Sequence, residues 1–281
     1  MKILVPTDFS TASFNAFHLA RKFANVAQAE IILLHVIEPP SASFSSMGES
    51  LEKDMEDVFM VKLSGKVEEE LQSLKKAYHT YDIRIERDFG DPYTVINDLI
   101  QVEKVDMVIM GEKGIHEVDD LFIGSLTDKI VRTSRYPIIT VNQTIEDQPI
   151  ERVLYATDLQ EEHPKLINLL KNIQHLFDAK LHIVKVNTRK SYSNDIDTDV
   201  AFRKLVDKYG LTDVETHTYN HEDEEDGIIF FADEINADLI AMGIHQKSGL
   251  RRLISGGELA EEVAEHSQRP VLTYHFSATR D

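Results

Sequence analysis

Residues 105–114 read Val105-Asp106-Met107-Val108-Ile109-Met110-Gly111-Glu112-Lys113-Gly114, and after nine further residues the chain reaches Gly124-Ser125. The first six are a nearly unbroken apolar run, the signature of a strand buried on both faces. Beyond Ser125, the residues Leu126, Ile130 and Val131 recur at helical spacing. The order is therefore buried strand, glycine-bearing loop, helix start. Glycine has no Cβ, so backbone amides there can approach a ligand closely. A helix start adds unpaired N–H groups and the positive end of the helix dipole, which suit phosphate. The Ser125 hydroxyl is one more donor. The stretch predicts a phosphate cradle; a glycine-bearing connection with no ligand fits the same residues.

Working outward, the N-terminal Lys2-Ile3-Leu4-Val5-Pro6-Thr7-Asp8 is a short buried strand ending in a polar turn. Ser10 or Thr11 can cap the helix that follows, whose apolar face is Ala16, Ala20, Phe23, Ala24 and Ala27. Ile31 to Ile37 is a second strand, residues 49–79 are charged and helical in pattern, and Ile83 and Ile85 alternate in a third strand. In Gly90-Asp91-Pro92, Asp91 can cap a helix and Pro92 can start it. Tyr136-Pro137 ends the helix after the cradle, and Ile138 to Val141 is a fifth strand. Strands alternating with helices predict a doubly wound α/β domain.

After a polar linker over 142–150 the pattern restarts. Arg152 to Leu159 repeats Lys2 to Phe9, Leu181 to Val186 repeats the second strand, Asp238 to Gly243 repeats Asp106 to Gly111, and Pro270 to Tyr274 repeats Pro137 to Val141. The expected fold is two tandem doubly wound domains, 1–144 and 150–281. Each is a mainly parallel five-stranded sheet flanked by helices, Rossmann-like in the manner of the adenine nucleotide alpha hydrolases. The first copy is longer, mostly around residues 38–65. The copies differ chemically: Gln246 stands where the first has Gly114, and Gly257 where it has Ser125. A side chain added at the cradle and a hydroxyl lost predict that the second copy binds phosphate worse or not at all.

Composition narrows the function. The chain of 281 residues carries 30 basic and 49 acidic residues, a formal charge of −19, which repels nucleic acid over most of its surface. It has no cysteine, hence no disulfide framework and no thiolate chemistry. With no signal-peptide core and no apolar run approaching the roughly 18–20 residues that span a bilayer, a cytoplasmic protein without membrane partners is expected.

Four features in this order, Pro6-Thr7-Asp8-Phe9-Ser10, Leu34-His35-Val36, Gly90-Asp91-Pro92 and the spacing of Gly111, Gly114, Gly124 and Ser125, resemble the universal stress protein family. The resemblance covers essentially the whole chain as a tandem pair. Its first half is similar to the ATP-binding branch, from which the second departs at Gln246 and Gly257. The resemblance implies ATP at the carboxyl ends of the parallel strands of the first half. Asp8 would take a polar edge of the adenosine, with Pro6 and Thr7 as the wall and Val36 meeting adenine through its backbone. Met110 and Gly111 would flank the ribose. Gly114, Gly124, Ser125, Leu126 and Thr127 would hold the phosphates, with magnesium or manganese as a compatible bridging ion. On local grounds alone, Asp8 caps the turn before the first helix and Thr127 is a first-turn polar residue. The fusion would replace a homodimer, its two fifth strands meeting across a pseudo-two-fold axis. Assembly into a larger homodimer is left open.

Other signals in the sequence do not carry a site. Ser64-Gly65-Lys66 lacks the first glycine and the final hydroxyl of a P-loop, and Ser255-Gly256-Gly257 follows the wrong strand for an ATP pyrophosphatase. His217 and His221, four apart on a strand, lie roughly 13 Å from one another, too far to share a metal unless the chain turns, and Glu222 to Asp226 reads as a solvated acidic loop. No metal-ligating set and no catalytic residue is assigned. The leading expectation is a nucleotide-responsive stress-response module with an unidentified protein partner. A slow ATPase or phosphotransferase, and a nucleotide-free scaffold, are the alternatives.

Overall fold

The computed structural model describes residues 1–38, 49–112, 125–144, 148–160, 163–246 and 258–277. The first half runs β1 (Lys2–Pro6), α1 (Thr11–Ala27), β2 (Glu30–Ile37), α2 (Glu49–Ala77), β3 (Ile83–Phe89), α3 (Pro92–Glu103), β4 (Met107–Gly111), α4 (Ser125–Thr133) and β5 (Ile138–Val141). The second runs β6 (Arg152–Ala156), α5 (Pro164–Phe177), β7 (Lys180–Asn187), α6 (Asp195–Tyr209), β8 (Val214–Asn220), α7 (Glu224–Glu234), β9 (Leu239–Gln246), α8 (Glu258–His266) and β10 (Val271–Ser277).

All ten strands form one sheet in the order β3-β2-β1-β4-β5-β10-β9-β6-β7-β8. Within each half every pairing is parallel, and the order 3-2-1-4-5 is the same in both. The halves meet through β5 and β10, which pair antiparallel with Leu272 opposite Ile139. That is the expected junction of the fifth strands.

The continuous apolar runs have their explanation in the two helix layers. Ile3 and Val5 face a core with α1, α2, α5 and α6, whereas Leu4 faces a core with α3, α4, α7 and α8. Strands covered on both sides have no polar face to alternate with. The halves are stapled at the helix level too. Phe23 of α1 meets Phe177 of α5 edge-on at 4.9 Å. Arg132 of α4 reaches Glu261 of α8 at 2.8 Å, and the Asn142 side-chain amide donates to the carbonyls of Glu265 and Ser267.

The caps follow the sequence. Ser10 is the N-cap of α1, accepting from the Ser13 amide at 3.1 Å, and Asp91 caps α3 through the Thr94 amide at 2.9 Å with Pro92 next. One segment corrects the sequence reading. Glu222 to Asp226 is not simply a solvated loop: Asp223 caps α7, and Glu224, Glu225 and Asp226 form its first turn. Acidic side chains favour that position because they oppose the positive end of the helix dipole.

Candidate functional site

The chain leaves β1 for β2 and β3, then returns to the other side of β1 with β4. The strand order therefore reverses between β1 and β4, and open α/β sheets bind ligands at the carboxyl ends of the strands at such a point. Here the end of β1 delivers Pro6, Thr7 and Asp8, and the end of β4 delivers Met110 and Gly111. Val36 lies near the end of the neighbouring β2.

The turn after β1 is tightly built. The Thr7 amide donates to the Leu34 carbonyl at 2.7 Å, and the Thr7 hydroxyl accepts from the Phe9 amide at 3.1 Å. Asp8 Oδ1 accepts from the Ser10 amide at 3.0 Å. The carboxylate thus performs the turn-closing role that local sequence allowed. Phe9 is held at φ 63°, a left-handed conformation that costs a non-glycine residue energy and that tends to occur at functional sites. Its ring stacks on His35, with centroids 4.8 Å apart. The His35 ring donates from Nδ1 to the Thr7 carbonyl at 2.7 Å, and burial lowers its pKa.

Gly111 has a packing reason beyond ligand approach. A Cβ built there would lie 2.6 Å from the carbonyl carbon of Ala12 and 2.8 Å from its Cβ. The first turn of α1 therefore fills the space that glycine leaves. Thr127 is buried and its hydroxyl donates to the Gly111 carbonyl at 2.9 Å, pinning the start of α4 to the end of β4. Leu126 packs its side chain against the α3/α4 core. Arg132 is engaged by Asp128 and Glu261. Lys113, Gly114 and Gly124 lie outside the described residues, as does the side chain of Ser125.

The second half repeats the turn and changes what stands beside it. Asp158 Oδ1 accepts from the Gln160 amide at 2.9 Å, and Leu159 is held at φ 61°. In place of His35 is Lys185, only 5% exposed. Its ammonium donates to Asn187 Oδ1 at 2.9 Å and to the Ser191 carbonyl at 3.0 Å. Burial lowers the Lys185 pKa and, with Asp158 nearby, raises that of Glu224. The equivalent cleft end therefore contains a buried cation and its own acidic neighbours. Sequence reasoning missed this network, although Lys185 inside an apolar strand was the visible sign. Residues 247–257, with the departure at Gly257, lie outside the described residues.

A second cluster went unread. His182, Glu215 and His217 gather between β7 and β8, toward the amino ends of these strands and away from the carboxyl ends where the clefts lie. Among the described residues no helix is long and apolar enough to cross a membrane.

Comparison with known proteins finds one family in both halves of the chain. The model of the "Universal stress protein family" matches twice, over residues 1–142 and 149–275. Universal stress protein MJ0577 of Methanocaldococcus jannaschii is 26% identical over 154 residues, covering 50% of this chain and 94% of that protein. Universal stress protein Slr1230 of Synechocystis sp. is 26% identical over 170 residues, 60% of this chain and 58% of that one. The crystal structure of a universal stress protein from Archaeoglobus fulgidus superposes with a TM-score of 0.77 at 23% identity, covering 98% of both chains. The fold is thus shared over the full tandem length.

Proposed function

We propose that this chain, which belongs to the universal stress protein family through both of its halves, is a nucleotide-responsive binding module that takes ATP in the first half alone. The observation that carries the reading is the convergence at the β1/β4 switch point. The residues singled out there from sequence, Pro6, Thr7, Asp8, Met110 and Gly111, come from adjacent strands, and Thr127 ties the start of α4 to the same place. Val36 would meet the base. The backbone of Gly114 and Gly124, with Ser125, Leu126 and Thr127, would hold the phosphates, with magnesium or manganese as counter-ion. In the second half the place of His35 is taken by the buried Lys185 network, which supports occupancy of one half only.

The role assigned to these residues is binding; slow hydrolysis of the bound ATP is the alternative. Occupancy would alter the surface that a protein partner meets during stress, in the cytoplasm. The test is calorimetric titration of the full chain with magnesium ATP after denaturing extraction has established how much nucleotide the purified protein carries. One saturable ATP site per chain is expected. Two equal sites, or none in a nucleotide-free preparation, would overturn the reading.

A further inference from the structure

We infer that His182, Glu215 and His217 form a binding site for one divalent transition-metal ion, zinc foremost, between β7 and the edge strand β8. Register puts them together. His182 pairs with Glu215 and Val184 with His217, so the three side chains share one face of the sheet. Three atoms converge. His182 Nδ1 lies 3.2 Å from His217 Nε2 and 3.6 Å from Glu215 Oε2, and His217 Nε2 lies 3.8 Å from Glu215 Oε2. A tetrahedral ion with bonds of about 2.0–2.1 Å separates its ligands by about 3.3 Å. A point equidistant from these three atoms lies about 2.1 Å from each, within the range of zinc–nitrogen and zinc–carboxylate bonds.

The surroundings hold this arrangement. Lys180 binds the other oxygen of Glu215, Oε1, at 2.5 Å and leaves Oε2 toward the rings. The His217 ring packs on Phe231 at 4.8 Å and stacks on His182 at 5.4 Å. The His182 side chain is 7% exposed and that of Glu215 49%, so the cluster is anchored on its inner side and open to solvent on its outer side. A fourth ligand, water or an incoming group, has access there.

Without an ion, the two ring nitrogens that face each other at 3.2 Å share a single proton. Two imidazoles with one carboxylate select zinc, copper or nickel over magnesium or calcium, which prefer all-oxygen shells. The site sits near the amino ends of its strands, whereas the proposed nucleotide cleft lies at the carboxyl ends in the other half. It is therefore separate from any ion bridging phosphates. Its ligands come from both strands, so an ion would clamp the edge strand β8 to β7.

The experiment uses the full chain without a histidine tag, stripped with a chelator and titrated with zinc against a chromophoric competitor. One zinc per chain is expected, together with a rise in melting temperature on adding zinc and a tetrahedral visible spectrum with cobalt. His217→Gln should weaken zinc binding at least tenfold and abolish the thermal shift. Glu215→Gln, at the exposed side of the cluster, should weaken it less while leaving the metal-free melting temperature close to that of the parent. His221→Gln, whose ring is bonded to the Asp223 carbonyl instead, should change nothing. Binding of zinc that survives the double change His182→Gln and His217→Gln, or no stoichiometric binding by the stripped parent, would overturn the assignment.

Discussion

Replacing Asp8 by alanine, beside the matched replacement of Asp158, separates what this carboxylate does for the fold from what it does for a ligand. The two aspartates close the same turn, accepting from Ser10 at 3.0 Å and from Gln160 at 2.9 Å. Each precedes a residue in the left-handed region, Phe9 at φ 63° and Leu159 at φ 61°. Losing one hydrogen bond costs about 1 kcal/mol, and the strained residue that follows becomes harder to hold. Each alanine variant should therefore lose about 1–2 kcal/mol, a drop of about 2–4 °C in melting temperature per kcal/mol for a chain of this size. ATP affinity should separate them. A hydrogen bond to a charged group is worth about 1.5–3 kcal/mol, so Asp8→Ala should weaken ATP binding about 10- to 100-fold, while Asp158→Ala leaves it unchanged. Asp8→Asn keeps an acceptor for Ser10 and should recover stability before affinity. The assay is calorimetric titration paired with thermal unfolding. Equal loss of affinity in the two alanine variants, or a larger loss in Asp158→Ala, would refute the reasoning.

Gly111→Ala should destabilise the protein by about 1–3 kcal/mol through overpacking against Ala12, read by denaturant unfolding. Gly65→Ala, in the exposed middle of α2 with nothing within 4 Å of the new Cβ, should be neutral or stabilising by up to about 1 kcal/mol. Thr127→Val removes the buried donor to the Gly111 carbonyl and should cost about 1–3 kcal/mol, with weaker ATP binding in the same titration. The Glu103 carboxylate is held by the Arg84 guanidinium, at 2.7 and 3.0 Å, and by Lys2 at 2.9 Å, which lowers its pKa from 4.5 to about 2. Its folded pKa lies below its unfolded one, so its stabilisation is present above the unfolded value and fades as pH falls toward 2. Glu103→Gln should flatten that acid limb in a series of unfolding midpoints against pH, with little effect on the slope near neutrality.

The fold was legible wherever local chemistry decides structure. Continuous apolar runs such as Ile31 to Ile37 require cover on both faces, and Ser10 and Asp91 cap helices by contacts within three residues. The repeat of Arg152 to Leu159 after Lys2 to Phe9 disclosed the tandem architecture, and two matched halves made the β5–β10 junction a natural expectation. What stayed hidden depends on register or on distant packing. His182 and His217 are thirty-five residues apart and become neighbours only when Val184 is paired with His217. Distance along one strand therefore gave no hint of the cluster. The reason for Gly111 lies in Ala12, on a helix that sequence spacing cannot dock. Glu222 to Asp226 looked like a loop because acidic runs are solvated in loops and in helix first turns alike.

The central claim is that one nucleotide binds, at the β1/β4 switch point of the first half. Photolabelling the full chain with 8-azido-ATP, followed by peptide mapping, tests it most directly. Label should concentrate in peptides containing Pro6 to Phe9 and Leu34 to Ile37 and be displaced by ATP. Displaceable label confined to peptides of the second half, such as those containing Tyr155 to Leu159 or Val184 to Asn187, would contradict the account.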